Sequence, residues 1–343
     1  MSTRLEPLRD SSAVLADGDE LARRMAADGY LFFPRLLPRR QLAAVRRRLL
    51  GYARDAGWLS PGAPLEEGVA EPSAFCVDPQ PQYKATHHRM YTLEALHRLP
   101  HRRELLELFG RLVRPPVLVH PRPALRVVFP GGFTTSAHQD FPFVQGTTDT
   151  FTAWIPLMDC PRSQGVLELA PGSHTAGVLP VQPSLGPGGA EVVDGLSDWA
   201  SGDLRLGDVL VFHSLTVHRT TANVSRRLRI SLDCRYQSIH EPVNSSSLTL
   251  SGLGMSWEDL YRDWRSSRHR YYWRAMGPRV EAFDPSYLEQ RDRMAIEMGE
   301  RGDPRSLSAL QRLAAHDEDP EKRALARRLL DRLPDAAGVD HLR

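Results

Sequence analysis

Between residues 116 and 242 the chain is a succession of short apolar stretches cut by glycine- and proline-rich turns, "GG", "PGS" and "GPGG" among them. That punctuation leaves little room for long helices and favours strand, turn, strand. "ALRVVFPGGFTTS" is β-rich, the apolar run in "GDVLVFHSLTVHRTTANVS" ends in a histidine, and "RRLRISLDCRYQ" alternates as a strand does. Helical i, i+3, i+4 spacing lies before this region, in "LARRMAADGY", "PRRQLAAVRRRLLGYARDAG" and "YTLEALHRLPHRRELLELFGRLV". The pattern predicts an α+β protein with a mainly β core over about residues 116–242, a double-stranded β-helix or jelly roll. The preceding helices would pack on one sheet and shield its outer apolar face.

Four residues in or next to these strands carry chemistry: His138, Asp140, His218 and Arg229. The i, i+2 spacing puts His138 and Asp140 on one face of an extended strand, so both can reach a single ion. Two histidines and a carboxylate hold iron(II) while leaving coordination positions open for O2 and a chelating 2-oxo acid. Arg229 suits the far carboxylate of that acid, because a guanidinium offers a planar fork for bidentate binding. Arg227 shares strand parity with Arg229 and competes for the role, whereas Arg226 should face the other way. His213, five residues before His218, could be mistaken for the second histidine ligand.

Read together, these segments resemble the phytanoyl-CoA dioxygenase family of Fe(II)/2-oxoglutarate-dependent oxygenases over roughly residues 25–285. "DGYLFFPRLLPRRQLAAVRRRL" is similar to the family's opening strand and amphipathic helix, and "HQD", "AWIPLMDCPRSQGVLELAPGSH" and "GDVLVFHSLTVHRTTANVSRRLR" follow in the family's order. The resemblance implies iron ligands His138, Asp140 and His218, and 2-oxoglutarate contacts from Arg229, Thr220, Trp154 and an upstream lysine, for which Lys84 is the candidate. Trp154 reads equally as a core aromatic. Gln164-Gly165 stands where many relatives have Asn-Gly, a change that keeps the turn if Gly165 supplies a positive φ. The implied cofactor is Fe(II), with 2-oxoglutarate and O2 consumed and a cupin-like fold around them. The implied reaction is hydroxylation, or another oxidation, of a small organic substrate in bacterial specialised metabolism, with release of succinate and CO2. Acyl-CoA hydroxylation within the same family, a catalytically silent cupin-like binding protein, and a zinc enzyme on the same scaffold are the alternatives.

Phe141, Phe143 and Gln145 follow the H-x-D segment and must run beside the metal, which makes them candidates to contact substrate. His88, with His87 and Arg89, sits in a polar stretch read as a loop, either solvated or overhanging the pocket. The aromatic segment after His240 holds Trp257, Tyr261 and Trp264 at helical i, i+4, i+7 spacing and reads as packing rather than a ring-binding surface.

Residues 1–18 lack periodicity and read as a flexible arm, residues 19–285 as the oxygenase domain, and residues 286–343 as a helical extension. Two helices meet there at Asp319-Pro320. Such a pair cannot bury its own apolar face, so it should dock on the core or form a homodimer. A net charge of +2 makes no case for nucleic acid or an acidic membrane. Three cysteines without C-x-x-C spacing, no secretory h-region and no membrane-length apolar run lead us to expect a cytoplasmic enzyme.

Overall fold

The computed structural model describes residues 4–333, apart from residue 79 and residues 185–189, 194–195 and 304–305. The chain begins with β1 (Arg4–Pro7), α1 (Gly18–Asp28), β2 (Tyr30–Phe33), α2 (Arg39–Asp55), α3 (Pro81–Tyr91), α4 (Glu94–His97) and α5 (Arg103–Leu112). Strands then dominate: β3 (Val117–Val119), β4 (Ala124–Val128), the one-turn α6 (Phe141–Val144), β5 (Phe151–Pro156), β6 (Leu167–Leu169), β7 (Val181–Pro183), β8 (Ala190–Val192), β9 (Asp198–Ser201), β10 (Val209–His213), β11 (His218–Thr220) and β12 (Arg229–Ser238). The remainder is β13 (Val243–Asn244), α7 (Trp257–Tyr261), α8 (Tyr272–Met276), β14 (Val280–Glu281), α9 (Ser286–Glu300), α10 (Leu307–His316) and α11 (Pro320–Leu330).

Two sheets face each other. The larger has the order β2-β10-β5-β12-β3, with β4 also pairing with β12; the smaller has the order β1-β9-β6-β11. Period-two alternation gives each strand of the larger sheet two different faces. Tyr30, Trp154, Leu210 and Phe212 point between the sheets and meet Leu167 and Leu169 of the smaller one. Their neighbours Leu31, Phe33, Val209, Val211, Ile155, Ile230 and Leu232 point outward, into a core shared with Leu21, Leu42, Val45, Leu49, Leu105 and Leu108 of the flanking helices. The jelly roll with helices on one face is therefore the architecture.

Three expectations need correction. Within the supposed arm Arg4–Pro7 form β1, which pairs in parallel with β9 from Arg4↔Asp198 to Pro7↔Ser201, while Asp10 bridges Phe32 and Ser11 is buried. Strand pairing across nearly two hundred residues holds this segment, and no local periodicity could announce it. The stretch with His87 and His88 is helix α3, not a loop. The helix expected over residues 91–113 is broken at Pro100 into α4, a 3-10 turn and α5, as a proline without an N–H requires.

The aromatic segment packs as expected: Trp257, Tyr261 and Trp264 are buried, and the indole N–H groups of Trp257 and Trp264 donate to the Leu248 and Thr92 carbonyls. In the extension, Asp319 caps α11 through the Glu321 N–H. Leu310, Leu313, Ala326 and Leu329 form a small core with Ile296 of α9. This third helix covers much of the apolar face that two helices alone would expose. Among the described residues, no helix is long and apolar enough to cross a membrane.

Candidate active site

His138 and His218 lie on facing segments that exchange both backbone hydrogen bonds, N–H to carbonyl, at 2.9 Å each. Their ring centroids are 4.1 Å apart. Asp140 is not on an extended strand as the spacing suggested; it is αR (φ −73°, ψ −31°) and opens the turn of α6. The turn brings its carboxylate to the histidines, and one donor atom from each of the three residues lies within 4.8 Å of the others.

The surroundings prepare these groups to hold a cation. His138 Nδ1 is 2.8 Å from the Ser136 carbonyl and His218 Nδ1 is 3.0 Å from the Thr216 carbonyl. A carbonyl only accepts, so each Nδ1 carries the proton and each Nε2 keeps its lone pair. Burial, helped by His218 alongside, pushes the His138 imidazole down to about 3, and burial lowers His218 as well. Burial alone would raise Asp140, but the Arg235 guanidinium, the two histidines and the Thr152 hydroxyl hold it below the ordinary carboxylate range. Thr152 Oγ1 donates to Asp140 Oδ2 at 2.6 Å and Arg235 Nη2 donates to Oδ1 at 3.2 Å. Two neutral nitrogens and one oriented carboxylate suit a divalent first-row metal, and the supporting hydrogen bonds fix their aim.

Arg229 is 3% exposed and Arg227 is exposed and paired with Glu67, which separates the two arginines left open by parity. Arg226 and Arg227 line an outer cleft with Asp159, Asp203 and Arg205, one to which none of the three residues above contributes. Arg229 Nη1 donates to the Gly165 carbonyl at 2.9 Å, while its buried Nε has no partner. Gly165 does have a positive φ, +83°, and a Cβ there would sit 2.9 Å from the Thr221 carbonyl oxygen. The Gln-Gly turn thus keeps the geometry that presents its carbonyl to Arg229.

The other predicted residues are spread around this centre. Thr220 Oγ1 accepts from the Thr135 N–H at 2.8 Å, leaving its own proton to donate. Trp154 is buried in the core between the sheets, cross-strand from Asp233. Lys84 and His88 lie one turn apart on α3, both half-buried. Phe143 sets its ring edge-on to His138 at 6.2 Å, and Phe141 starts α6. Gln145 is engaged by the Asp284 backbone. Its side-chain amide donates to the Asp284 carbonyl and accepts from the Asp284 N–H, both at 2.8 Å, so it anchors the approach to α9. His213, at the end of β10, faces Asp149 and stays outside the triad. Arg235 and Thr152 escaped the sequence reading, although strand parity carried the signal: Arg235 has the parity of Arg229, and Thr152 that of Trp154.

Comparison with known proteins agrees with this picture. The sequence model of the phytanoyl-CoA dioxygenase (PhyH) family matches residues 25–231. The 1-deoxypentalenic acid 11-beta-hydroxylase of Streptomyces arenae is 26% identical over 268 residues, covering 71% of this chain and 90% of that protein. The peroxisomal phytanoyl-CoA dioxygenase of Bos taurus is 28% identical over 109 residues, 29% of this chain and 32% of its own length. Among solved structures, the non-heme monooxygenase ThoJ, in its apo form, superposes with a TM-score of 0.47 at 21% identity, covering 64% of this chain and 77% of that one. The family match spans well over half of the sequence and contains His138, Asp140, His218 and Arg229, so the chain belongs to the phytanoyl-CoA dioxygenase family and is an iron- and 2-oxoglutarate-dependent oxygenase.

Proposed function

We propose that the protein hydroxylates a small organic molecule of bacterial specialised metabolism, using His138, Asp140 and His218 to hold Fe(II) and Arg229 to anchor 2-oxoglutarate. The observation that carries this reading is the convergence of the three ligands in a chain whose Arg229 is buried with an unpartnered Nε. Overall, one substrate C–H becomes C–OH while O2 and 2-oxoglutarate become succinate, CO2 and the inserted oxygen. Bound iron supplies the oxidising chemistry, with electrons from decarboxylation of the co-substrate. The protein supplies geometry. The Ser136 and Thr216 carbonyls keep the histidine protons on Nδ1, and Thr152 and Arg235 orient Asp140. Arg229 and the Thr220 hydroxyl bind the far carboxylate, which has more acceptor sites than one guanidinium fills. Phe143 walls the histidine side and helps exclude water. Trp154 and Lys84 complete the co-substrate site on this reading, and Phe141 and His88 border the substrate. The name of the Streptomyces relative supports a hydroxylation of this kind in specialised metabolism.

Anaerobic titration of the Fe(II)-loaded protein with 2-oxoglutarate tests the assignment through the visible charge-transfer band expected at about 500 nm for the chelate. The band should form in the wild type, vanish in Asp140→Ala, and need about a hundredfold more 2-oxoglutarate in Arg229→Met, the loss expected for a buried charge-assisted pair. Iron binding without a band in the wild type would overturn the reading. A zinc enzyme would give Arg229 no task, and Arg229→Met would then leave its chemistry intact.

A further inference from the structure

The interior of the larger sheet carries more positive charge than the reaction accounts for. On β12 the inward positions are Arg229, Ser231, Asp233 and Arg235; across from them β4 presents Arg126, and Arg122 continues the same alternation two residues before β4. Residues 122, 124, 126 and 128 are half-buried while 121, 123, 125 and 127 are buried, so the arginine-bearing side faces the open interior. On β5 the inward residues are the uncharged Thr152, Trp154 and Pro156.

With the proposed cofactors in place, the divalent cation and Arg229 balance Asp140 and the 2-oxoglutarate dianion. Three guanidiniums, Arg122, Arg126 and Arg235, are then left on a face whose strands β4, β12 and β5 carry one inward carboxylate, Asp233. Arg126 Nε donates to Asp233 Oδ2 at 3.2 Å. Arg235 leans on Asp140, whose charge the metal would share, and its buried Nε has no partner. Arg122 Nη1 donates to the neutral Ser246 carbonyl at 3.2 Å, and burial together with the nearby Arg235 and Arg126 charges lowers its basicity. Arg126 keeps 42% of its side chain exposed, whereas Arg122 and Arg235 are largely withdrawn from water, and cations so placed beside each other are costly unless an anion joins them.

We propose that the substrate carries an oxyanion, a carboxylate or a phosphate ester, and that Arg122, Arg126 and Arg235 seat it beside the metal centre. This inference rests on the oxygenase reading above and adds the chemical class of its substrate. Asp233 sits between the anion site and Trp154, with a buried Oδ1 that has no partner and is suited to accept from a substrate hydroxyl. The anion would fix one end of the molecule, so that the bond presented to the metal is selected by its distance from the acid group.

The test uses the Fe(II)-loaded protein, anaerobic and saturated with 2-oxoglutarate, titrated calorimetrically with octanoate, octyl phosphate, octanol and octylammonium. Saturation keeps the probes out of the co-substrate site, and the band at about 500 nm reports that site in the same samples. At least one anion should bind about tenfold or more tightly than octanol, with octylammonium weakest, and added salt should erode the preference. Preference for octanoate over octyl phosphate identifies a carboxylate site, and the reverse a phosphate site. Arg126→Met should shrink the anion preference and Arg126→Lys should keep most of it; Arg122→Met gives a second, independent reduction. Equal binding of octanol and both anions, or tighter binding of octylammonium, with the band intact, overturns the anion site alone. Absence of the band in the wild type instead overturns the oxygenase reading on which it rests.

Discussion

At Asp140 one carboxylate does two things: its oxygens accept from Thr152 and Arg235, and its αR backbone starts the α6 turn. The sequence shows the H-x-D spacing but not that turn. It shows Arg229 and Arg227 at equal parity but not that one is buried and the other is exposed beside Glu67. Gly29 illustrates the same limit. It ends α1 with φ +74°, and a Cβ there would lie 2.5 Å from His174 Nδ1 and 2.7 Å from Thr216 Oγ1. Thr216 in turn donates to the Gly29 carbonyl at 2.7 Å, and its own carbonyl accepts from His218 Nδ1–H. Gly29→Ala should therefore destabilise the fold by about 2 kcal/mol or more in urea unfolding. Through the shift forced on Thr216, it should also weaken Fe(II) binding.

Helix α3 is the element least legible in the sequence and among the most informative in the structure. Tyr83, His87 and Tyr91 recur at i, i+4, i+8, their rings stacking at 5.6 and 6.0 Å. They donate in turn to the carbonyls of Val127, Leu125 and Pro123 at 2.9–3.0 Å. These are carbonyls of β4 and the residue just before it, on the edge away from β12, which would otherwise be left without partners. The helix closes a sheet edge with side-chain donors in place of another strand. A polar stretch with two histidines, two tyrosines and a lysine reads as a loop because it lacks an apolar stripe, and the face it buries is aromatic and hydrogen-bonding. Tyr83→Phe keeps the stack and leaves the Val127 carbonyl unpaired, so urea unfolding should show a loss of about 1–2 kcal/mol. The strands β4 and β12, by contrast, were readable from alternation, because one of their faces is apolar and the other is not.

Over the whole molecule, buried histidines make acid stability a property of the fold. Burial pushes His97 and His120 down to about 4, and His101 to about 3 with help from the His269 and His97 charges. The unfolded chain takes up these protons near the ordinary value of 6.5, the folded chain only near 4. Their contribution is therefore present above pH 6.5 and is lost as the pH falls toward 4. Between pH 6.5 and 5 each of His97 and His120 should cost up to about 2 kcal/mol. Urea midpoints at pH 7 and pH 5 measure the sum, and a His120→Gln variant should show a shallower slope. At the same scale the carboxyl-terminal helices have their own small core and are tied to the catalytic domain where Gln145 brackets Asp284. Gln145→Ala should increase proteolysis at the approach to α9 while the 2-oxoglutarate band persists.

By itself the sequence made legible the jelly-roll class, the outer helices and the order of the chemical segments, because periodicity and spacing are local quantities, and it singled out the four residues on which the proposed iron and co-substrate site rests. Tertiary structure decided what depends on distant partners. It turned the supposed arm into a strand by pairing Arg4–Pro7 with Asp198–Ser201, and it joined the Gln145 side chain to the Asp284 backbone. It also brought Arg126 and Arg235 to Asp233, and Arg122 close enough to both arginines to feel their charge. Charges far apart in the chain have no bearing on one another until folding removes the water between them.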